Sequence, residues 1–367
     1  MSARPATTSR TAETAAPMRP RVRDFSGAGA TIAIEFDVRT AYDFVFSLSD
    51  DAGSTDDLPA DDRRWLAEAR ASLPDDIRAD LESLFANELC ISVAGVAVDR
   101  PDARDSAGFV AALEATDPAT ILRLGFHDAL ADPAQRPLIE RAIEGDTAAL
   151  GEAEAVLPDW RRTERLAILR EPGRTHATVV RVLKAWADRF ASIEERVGAI
   201  LRRDLEGRAA DRAVYRGTEL IERTTGGIRW LSEGGVRRVI LAPSYFSRPY
   251  NFLLAGDDWR FFGYPVADSA LGATDPLAPP PAVVRLHRAL GDETRLRILK
   301  LLAAKDLYLT EIAQQLELSK PTIKHHLALL RAAGLVTVTE EGAVIYYSLR
   351  RDRVEGAAGD LVQFLIS

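Results

Sequence analysis

A short basic stretch near the C-terminus contains the side chains with the clearest chemistry in this 367-residue chain. It reads SKPTIKHHLALLRAAGLV (319–336) and combines a serine, a threonine, two lysines and two adjacent histidines. Hydroxyl, ammonium and imidazole groups donate hydrogen bonds to phosphate oxygens and to the edges of bases. The stretch therefore favours contact with a nucleic acid, and the plain alternative is a solvated helix face.

Helix-boundary signals frame this stretch. Ser319 suits an N-cap, Pro321 suits the first turn, where its missing N–H is not needed, and Gly334 suits the C-terminal end. Apolar residues at spacings of four and three share one face of the predicted helix: Ile323, Leu327 and Leu330. The opposite face is then free for binding.

The outward face supplies the predicted nucleic-acid contacts. Ser319, Lys320 and Thr322 at the helix N-terminus can meet backbone phosphates through N–H, hydroxyl and ammonium groups. One turn further, Lys324 and His325 can reach base edges, because lysine donates to guanine O6 and N7.

Further elements surround the basic helix. Helical patterns precede it at residues 282–290, 292–304 and 310–318. Asp292 and Thr310 are the predicted N-caps of the second and third of these helices. Residues 336–349 alternate in polarity around a turn at Gly342, which predicts a β-hairpin.

This order of motifs resembles the winged helix-turn-helix of ArsR-type transcriptional regulators. The resemblance rests on LGDETRLRILKLL, LTEIAQQLELSKPTIKHHLALLRAAGLV and GAVIYYSL, and it covers residues 282–353. It implies a DNA-binding regulator, commonly a repressor, that binds an inverted-repeat operator in double-stranded DNA as a homodimer. Residues 282–290 and 356–367 would then form the dimer contacts.

Two positions of the family pattern are informative here. His326 matches a histidine of the family, and both packing and a phosphate contact stay open for it. The wing reads Glu340-Glu341-Gly342, where many members have a basic residue beside the glycine. Phosphate contacts near the wing are therefore expected from Arg350 and Arg351 at its base.

Metal-sensing members carry paired cysteines before the recognition helix or Asp and His ligands on the last helix. This chain has a single cysteine, Cys90, and no histidine after His326. Adjacent histidines point about 100° apart on a helix, so His325 and His326 cannot chelate one ion. We expect neither a metal site nor another cofactor.

Charge and composition divide the chain into unequal parts. Residues 282–353 carry 12 basic and 8 acidic side chains, net +4, whereas residues 1–281 carry 35 and 45, net −10. Residues 267–281 are rich in proline and alanine, which predicts a linker. The predicted organisation is a disordered tail at 1–24, a sensor domain at 25–266, the linker, and a winged helix-turn-helix at 282–367.

The predicted fold class is α+β, with a mainly helical N-terminal domain and a small antiparallel sheet. Strands are expected within 30–38, 236–246 and 250–266, the last containing a hairpin turn at 256–258. Residues 174–206 carry an apolar stripe that predicts one long amphipathic helix. The stripe either packs on its own domain or forms a dimer seam.

A sensory role is the main hypothesis for the acidic N-terminal domain. Aromatic residues near the strands are the candidate lining of a small-molecule site: Trp186, Phe190, Trp230, Tyr245, Tyr250, Trp259, Phe261 and Tyr264. The alternative for each is a place in the core. A bifunctional protein with an enzymatic N-terminal domain and an interaction module without DNA binding remain rival functions. The composition indicates a cytoplasmic protein without a membrane span.

Overall fold

A computed structural model describes residues 32–49, 52, 57–86, 89–157, 162–272, 277–341 and 344–366. The predicted tail at 1–24 and the wing turn at Gly342 lie outside the described residues. Residues 32–272 are called the N-terminal region below, and residues 277–366 the winged-helix region. Among the described helices, none is both long and apolar enough to span a membrane.

The N-terminal region is mainly helical. Its helices are α1 Thr40–Phe46, α2 Ala60–Ala71, α3 Asp75–Ala86, α4 Leu89–Ser92, α5 Ser106–Glu114, α6 Pro118–Gly125, α7 His127–Ala131, α8 Arg136–Ile143, α9 Thr147–Val156, α10 Arg162–Arg170, α11 Pro172–Phe190, α12 Glu194–Gly207, α13 Ala209–Val214 and α14 Gly217–Thr224. Short 3₁₀ turns follow α4 at Val93–Ala97 and precede the winged-helix region at Asp268–Ala270.

The strands of this region are β1 Ala33–Phe36, β2 Ile228–Arg229, β3 Arg238–Ser244, β4 Phe252–Ala255 and β5 Trp259–Pro265. Four of them form a sheet in the order β1-β3-β5-β4. The β4–β5 pair is the predicted antiparallel hairpin, but β3 pairs in parallel with both β1 and β5. The α+β class is confirmed, and the sheet is mixed rather than antiparallel because distant segments pair in parallel.

The stripe at 174–206 belongs to two helices, not one. Helix α11 ends at Phe190 and α12 begins at Glu194, with a turn between them. The stripe side chains are buried in one core cluster with residues of α1 and β5: Val179, Val182, Trp186, Phe190, Ile193, Val197 and Ile200. The stripe therefore packs on its own region, and the dimer-seam interpretation is wrong.

The winged-helix region follows the predicted order. It contains α15 Pro281–Leu290, α16 Glu293–Leu302, β6 Leu307–Tyr308, α17 Leu309–Leu316, α18 Lys320–Ala332, β7 Val336–Glu341, β8 Val344–Leu349 and α19 Arg351–Ile366. The Asp292 carboxylate accepts from the Arg295 N–H at 2.9 Å, so the predicted N-cap of α16 is confirmed. The predicted cap at Thr310 is wrong, because α17 begins earlier and Tyr308 is its N-cap.

Each region has its own apolar core. In the winged-helix region a single cluster gathers residues of all five helices, among them Leu286, Ile298, Ile312, Ile323 and Ala357. Side chains of the N-terminal region fill three other clusters. One contact between the two regions is made by strand β2, which joins the sheet of the wing in the order β2-β7-β8-β6.

Candidate nucleic-acid interface

Residues at its two ends define the boundaries of α18. Ser319 is extended and its Oγ accepts the Thr322 N–H at 3.3 Å, as an N-cap does. The two hydroxyl oxygens of Ser319 and Thr322 lie 2.7 Å apart. At the other end Gly334 adopts φ +70°, a conformation that glycine permits at little cost. Both predicted boundaries of the helix are confirmed.

The two faces of α18 differ as expected. Ile323, Leu327 and Leu330 are buried in the core of the winged-helix region. On the other side the side chains of the first two turns are exposed: Ser319, Lys320, Thr322, Lys324 and His325. One helix therefore presents two ammonium groups, two hydroxyls and an imidazole from a single surface at its N-terminal end.

His326 lies apart from this surface. Its side chain is only 15% exposed, and Nδ1 lies 3.7 Å from the Asp292 carboxylate at the start of α16. Burial lowers the pKa of the His326 imidazole, although the Asp292 charge acts in the opposite direction. The neutral form is therefore favoured at neutral pH. This placement supports packing, the first of the two roles left open for this residue.

The two arginines at the wing base have intramolecular partners. Arg350 donates from Nη1 to the Gly226 carbonyl at 3.2 Å and from Nη2 to Asp352 at 3.3 Å. Arg351 donates from Nη2 to the Ala303 carbonyl at 2.6 Å. Arg351 is exposed and Arg350 is half-buried. A phosphate contact by either residue stays a prediction, and it would compete with these bonds.

The aromatic residues proposed as a ligand lining occupy cores. Trp186, Phe190, Tyr245, Trp259 and Phe261 belong to the largest cluster, and Trp230 and Tyr264 to a smaller one behind the sheet. Three of them also form hydrogen bonds inside the protein through their polar atoms: Trp186, Trp230 and Tyr245. Trp186 Nε1 donates to Ser47 Oγ at 2.9 Å, and the Tyr245 hydroxyl donates to Asp62. Tyr250 is half-buried in the connection before β4. These positions support the core alternative.

Within the described residues, no group of three or more His, Cys, Asp or Glu side chains is arranged to hold a metal ion. The adjacent imidazoles of His325 and His326 are 5.9 Å apart between ring centroids and tilted by 64°.

One contact near the site could not be foreseen from the sequence. Strand β2 is two residues long, so it has no alternation in polarity to mark it, yet it pairs with β7 of the wing. The preceding pair Gly226-Gly227 is its only sequence signal, and that signal indicates a turn.

A tight helix pair followed by a two-stranded wing, with an exposed basic face on the second helix, defines the class of winged-helix DNA-binding proteins. The sequence profile described as "Bacterial regulatory protein, arsR family" matches residues 292–338. The match includes α16, α17, α18 and the start of β7.

Individual relatives agree with this match. The chain is 40% identical over 86 residues to the HTH-type transcriptional regulator CmtR of Mycobacterium tuberculosis, covering 23% of this chain and 73% of the relative. It is 35% identical over 80 residues to the transcriptional repressor SdpR of Bacillus subtilis, covering 22% and 89%. It is 39% identical over 72 residues to the transcriptional activator HlyU of Vibrio cholerae, covering 20% and 67%. The chain belongs to the ArsR family and is a DNA-binding transcriptional regulator.

Proposed function

We propose that this protein is a homodimeric transcriptional repressor that binds an inverted-repeat operator through α18 and works in the cytoplasm. The observation that carries the proposal is the exposed face of α18, where Lys320, Lys324 and His325 stand on a helix anchored by a buried apolar face. Lysine ammonium groups at a helix N-terminus attract phosphates, and a helix of this kind fits the major groove.

The dimer is proposed to form through α19 together with α15, against which it packs. Helix α19 buries Ala357 in the core but exposes large apolar side chains along its length: Val354, Val362, Leu365 and Ile366. Apolar side chains that follow one another along one exposed face are typical of a protein interface. A two-fold dimer would place two copies of α18 on two half-sites of one operator.

The N-terminal region is proposed to sense a small molecule or a protein. Two features support this role. The region is acidic overall, so phosphate repels it, and it is joined directly to the wing by strand β2. The proposal does not use the eight aromatic residues as a ligand lining, because most of them are buried in the core.

Genomic footprinting of the full-length protein tests the proposal. It should recover sites that share an inverted repeat with half-sites about one or two helical turns apart. Transcription from the adjacent promoters should rise when the gene is deleted. Sites without two-fold symmetry would contradict the dimer, and transcription that falls on deletion would show an activator. The thermal stability and operator affinity of the full chain against a metabolite library then test the sensor.

A further inference from the structure

The sheet of the wing is completed by a strand from the N-terminal region. Strand β2 pairs in parallel with β7, with Ile228 opposite Val338 and Arg229 opposite Thr339. The Val338 N–H donates to the Gly227 carbonyl at 2.8 Å. In a wing made of β7 and β8 alone, β7 would be an open edge. Here it has a neighbour on each side.

The backbone before β2 is shaped for this close approach. Gly227 is buried with φ +130°, a conformation that residues with a Cβ adopt only under strain. A Cβ at this position would lie 3.2 Å from the Val336 carbonyl oxygen and 3.6 Å from the Thr337 Cα. Glycine therefore allows the two backbones to meet.

Side chains from both regions form hydrogen bonds with the turn at residues 225–228, just before and at the start of β2. Thr225 Oγ1 accepts the Ile228 N–H at 3.0 Å, and Asn251 Nδ2 donates to the Thr225 carbonyl at 3.1 Å. From the winged-helix region, Arg350 donates to the Gly226 carbonyl. The turn is thus bonded to the β3–β4 connection on one side and to the end of β8 on the other.

Residues of both regions also lie near the C-terminal end of α18. Arg331, in the last turn of α18, is half-buried and close to Tyr347 on β8 and Tyr250 of the N-terminal region. Strand β7 begins at Val336, directly after the turn that ends α18. A change in the pairing of β7 would therefore act on the wing next to the C-terminal end of α18.

The N-terminal region also holds the first helix of the winged-helix region. Asp268 accepts the Ala282 N–H at 2.8 Å, at the start of α15. One turn later, Arg285 forms an ion pair with Asp57. The winged-helix region thus contacts the N-terminal region at two separate places, α15 and the wing.

We propose that residues 225–229 act as a coupling strand, through which the N-terminal region sets the position of the wing and thereby the affinity of α18 and the wing for DNA. The proposal rests on the DNA-binding function of the winged-helix region. A ligand or partner of the N-terminal region changes DNA affinity when it binds more tightly to one state of the β2–β7 pairing than to the other.

The test compares Gly227→Ala with the control Gly235→Ala in the full-length chain. Both glycines have positive φ, but a Cβ at Gly235 meets nothing within 4 Å. Gly227→Ala should speed amide exchange at Val338 about tenfold, because one backbone hydrogen bond is weakened. It should lower the affinity for DNA recovered by footprinting about fivefold. Gly235→Ala should change neither quantity, and slow exchange in β3 and β5 should report an intact fold in both variants.

A second variant separates coupling from misfolding. Asn251→Ala removes the bond to Thr225 without altering the wing or either glycine, and it should shift both measurements in the same direction by smaller factors. The coupling-strand proposal would be overturned if Gly227→Ala left the amide exchange of Val338 unchanged. It would also be overturned if the exchange became faster while the affinity for DNA stayed at the wild-type value. If the wild-type chain binds no DNA at all, the proposed function fails instead.

Discussion

At the scale of single residues, the first two turns of α18 carry the side chains that are proposed to contact DNA. Lys320 lies at the helix N-terminus, where a phosphate contact is proposed, whereas Lys324 and His325 lie one turn further, where base contacts are proposed. His326 differs because it faces Asp292 instead of solvent. The residue types and the helical spacing were sufficient to predict all of these positions except the partner of His326.

Base contacts by α18 predict a sequence-dependent loss. Lys324→Ala and His325→Ala should each weaken operator binding by about 1–3 kcal/mol and relax the preference at the contacted base pairs. Lys305→Ala is the matched control, because Lys305 is an exposed lysine of the same region and lies 3.9 Å from Glu311. Binding titrations against the operator and single-base variants measure the effect. Equal losses for the control would point to general electrostatics.

The lowered pKa of His326 predicts a pH dependence of stability. The folded state disfavours the imidazolium, so the unfolded state takes up the proton first as the pH falls. The free energy of unfolding should therefore decrease as the pH drops below about 6.5, the ordinary histidine value, until the folded pKa is passed. His326→Gln should remove this component, and His325→Gln should keep it. Urea unfolding between about pH 5 and pH 8 measures the difference. The same slope in His326→Gln would contradict the assignment.

At the scale of elements, local signals predicted the winged-helix region closely. Ser319, Asp292 and Gly334 mark helix ends by chemistry that acts within one turn, and the structure confirms each of them. The break between α11 and α12 was missed because its apolar residues keep their spacing through the turn. The parallel pairing of β1 with β3 joins residues about 200 positions apart, and no local pattern encodes it.

The exposed apolar face of α19 predicts a dimer that one charge can disrupt. Val362→Asp and Leu365→Asp should each shift the protein toward monomer and lower operator affinity, because a buried unpaired carboxylate is costly. Gln363→Asp is the control, since Gln363 is also exposed but lies outside the apolar stripe. Sedimentation analysis gives the assembly state. An unchanged dimer in both apolar variants would place the interface elsewhere.

At the scale of the whole molecule, two regions of opposite charge share one chain, and the basic one binds DNA. Sequence alone predicted this division but not the attachment, because β2 consists of two residues whose partner lies more than 100 positions away. Sequence alone also left open whether the eight aromatic residues line a ligand site or belong to the core, because the answer depends on distant parts of the chain. Helices from those parts pack on the strands, and Trp259 and Phe261 are therefore core residues.

The composition of the whole chain predicts indifference to metals. Zinc, cadmium or arsenite at low micromolar concentration should leave operator binding unchanged, because soft-metal sites need paired thiolates or suitably spaced imidazoles. The chain has one cysteine and five histidines, and the described residues form no such cluster. Release of the operator by one of these ions, reversed by a chelator, would contradict this expectation.

The most direct test of DNA recognition by α18 is a genomic footprint of the wild-type protein beside the Lys320→Ala/Lys324→Ala double variant. The wild type should occupy inverted-repeat sites, and the double variant should lose them while it keeps its dimer and its thermal stability, because both side chains are exposed. In gel-shift titrations the salt dependence of any residual binding should become shallower by about one unit for each lost phosphate contact. A double variant that occupies the same sites with undiminished affinity would contradict the account.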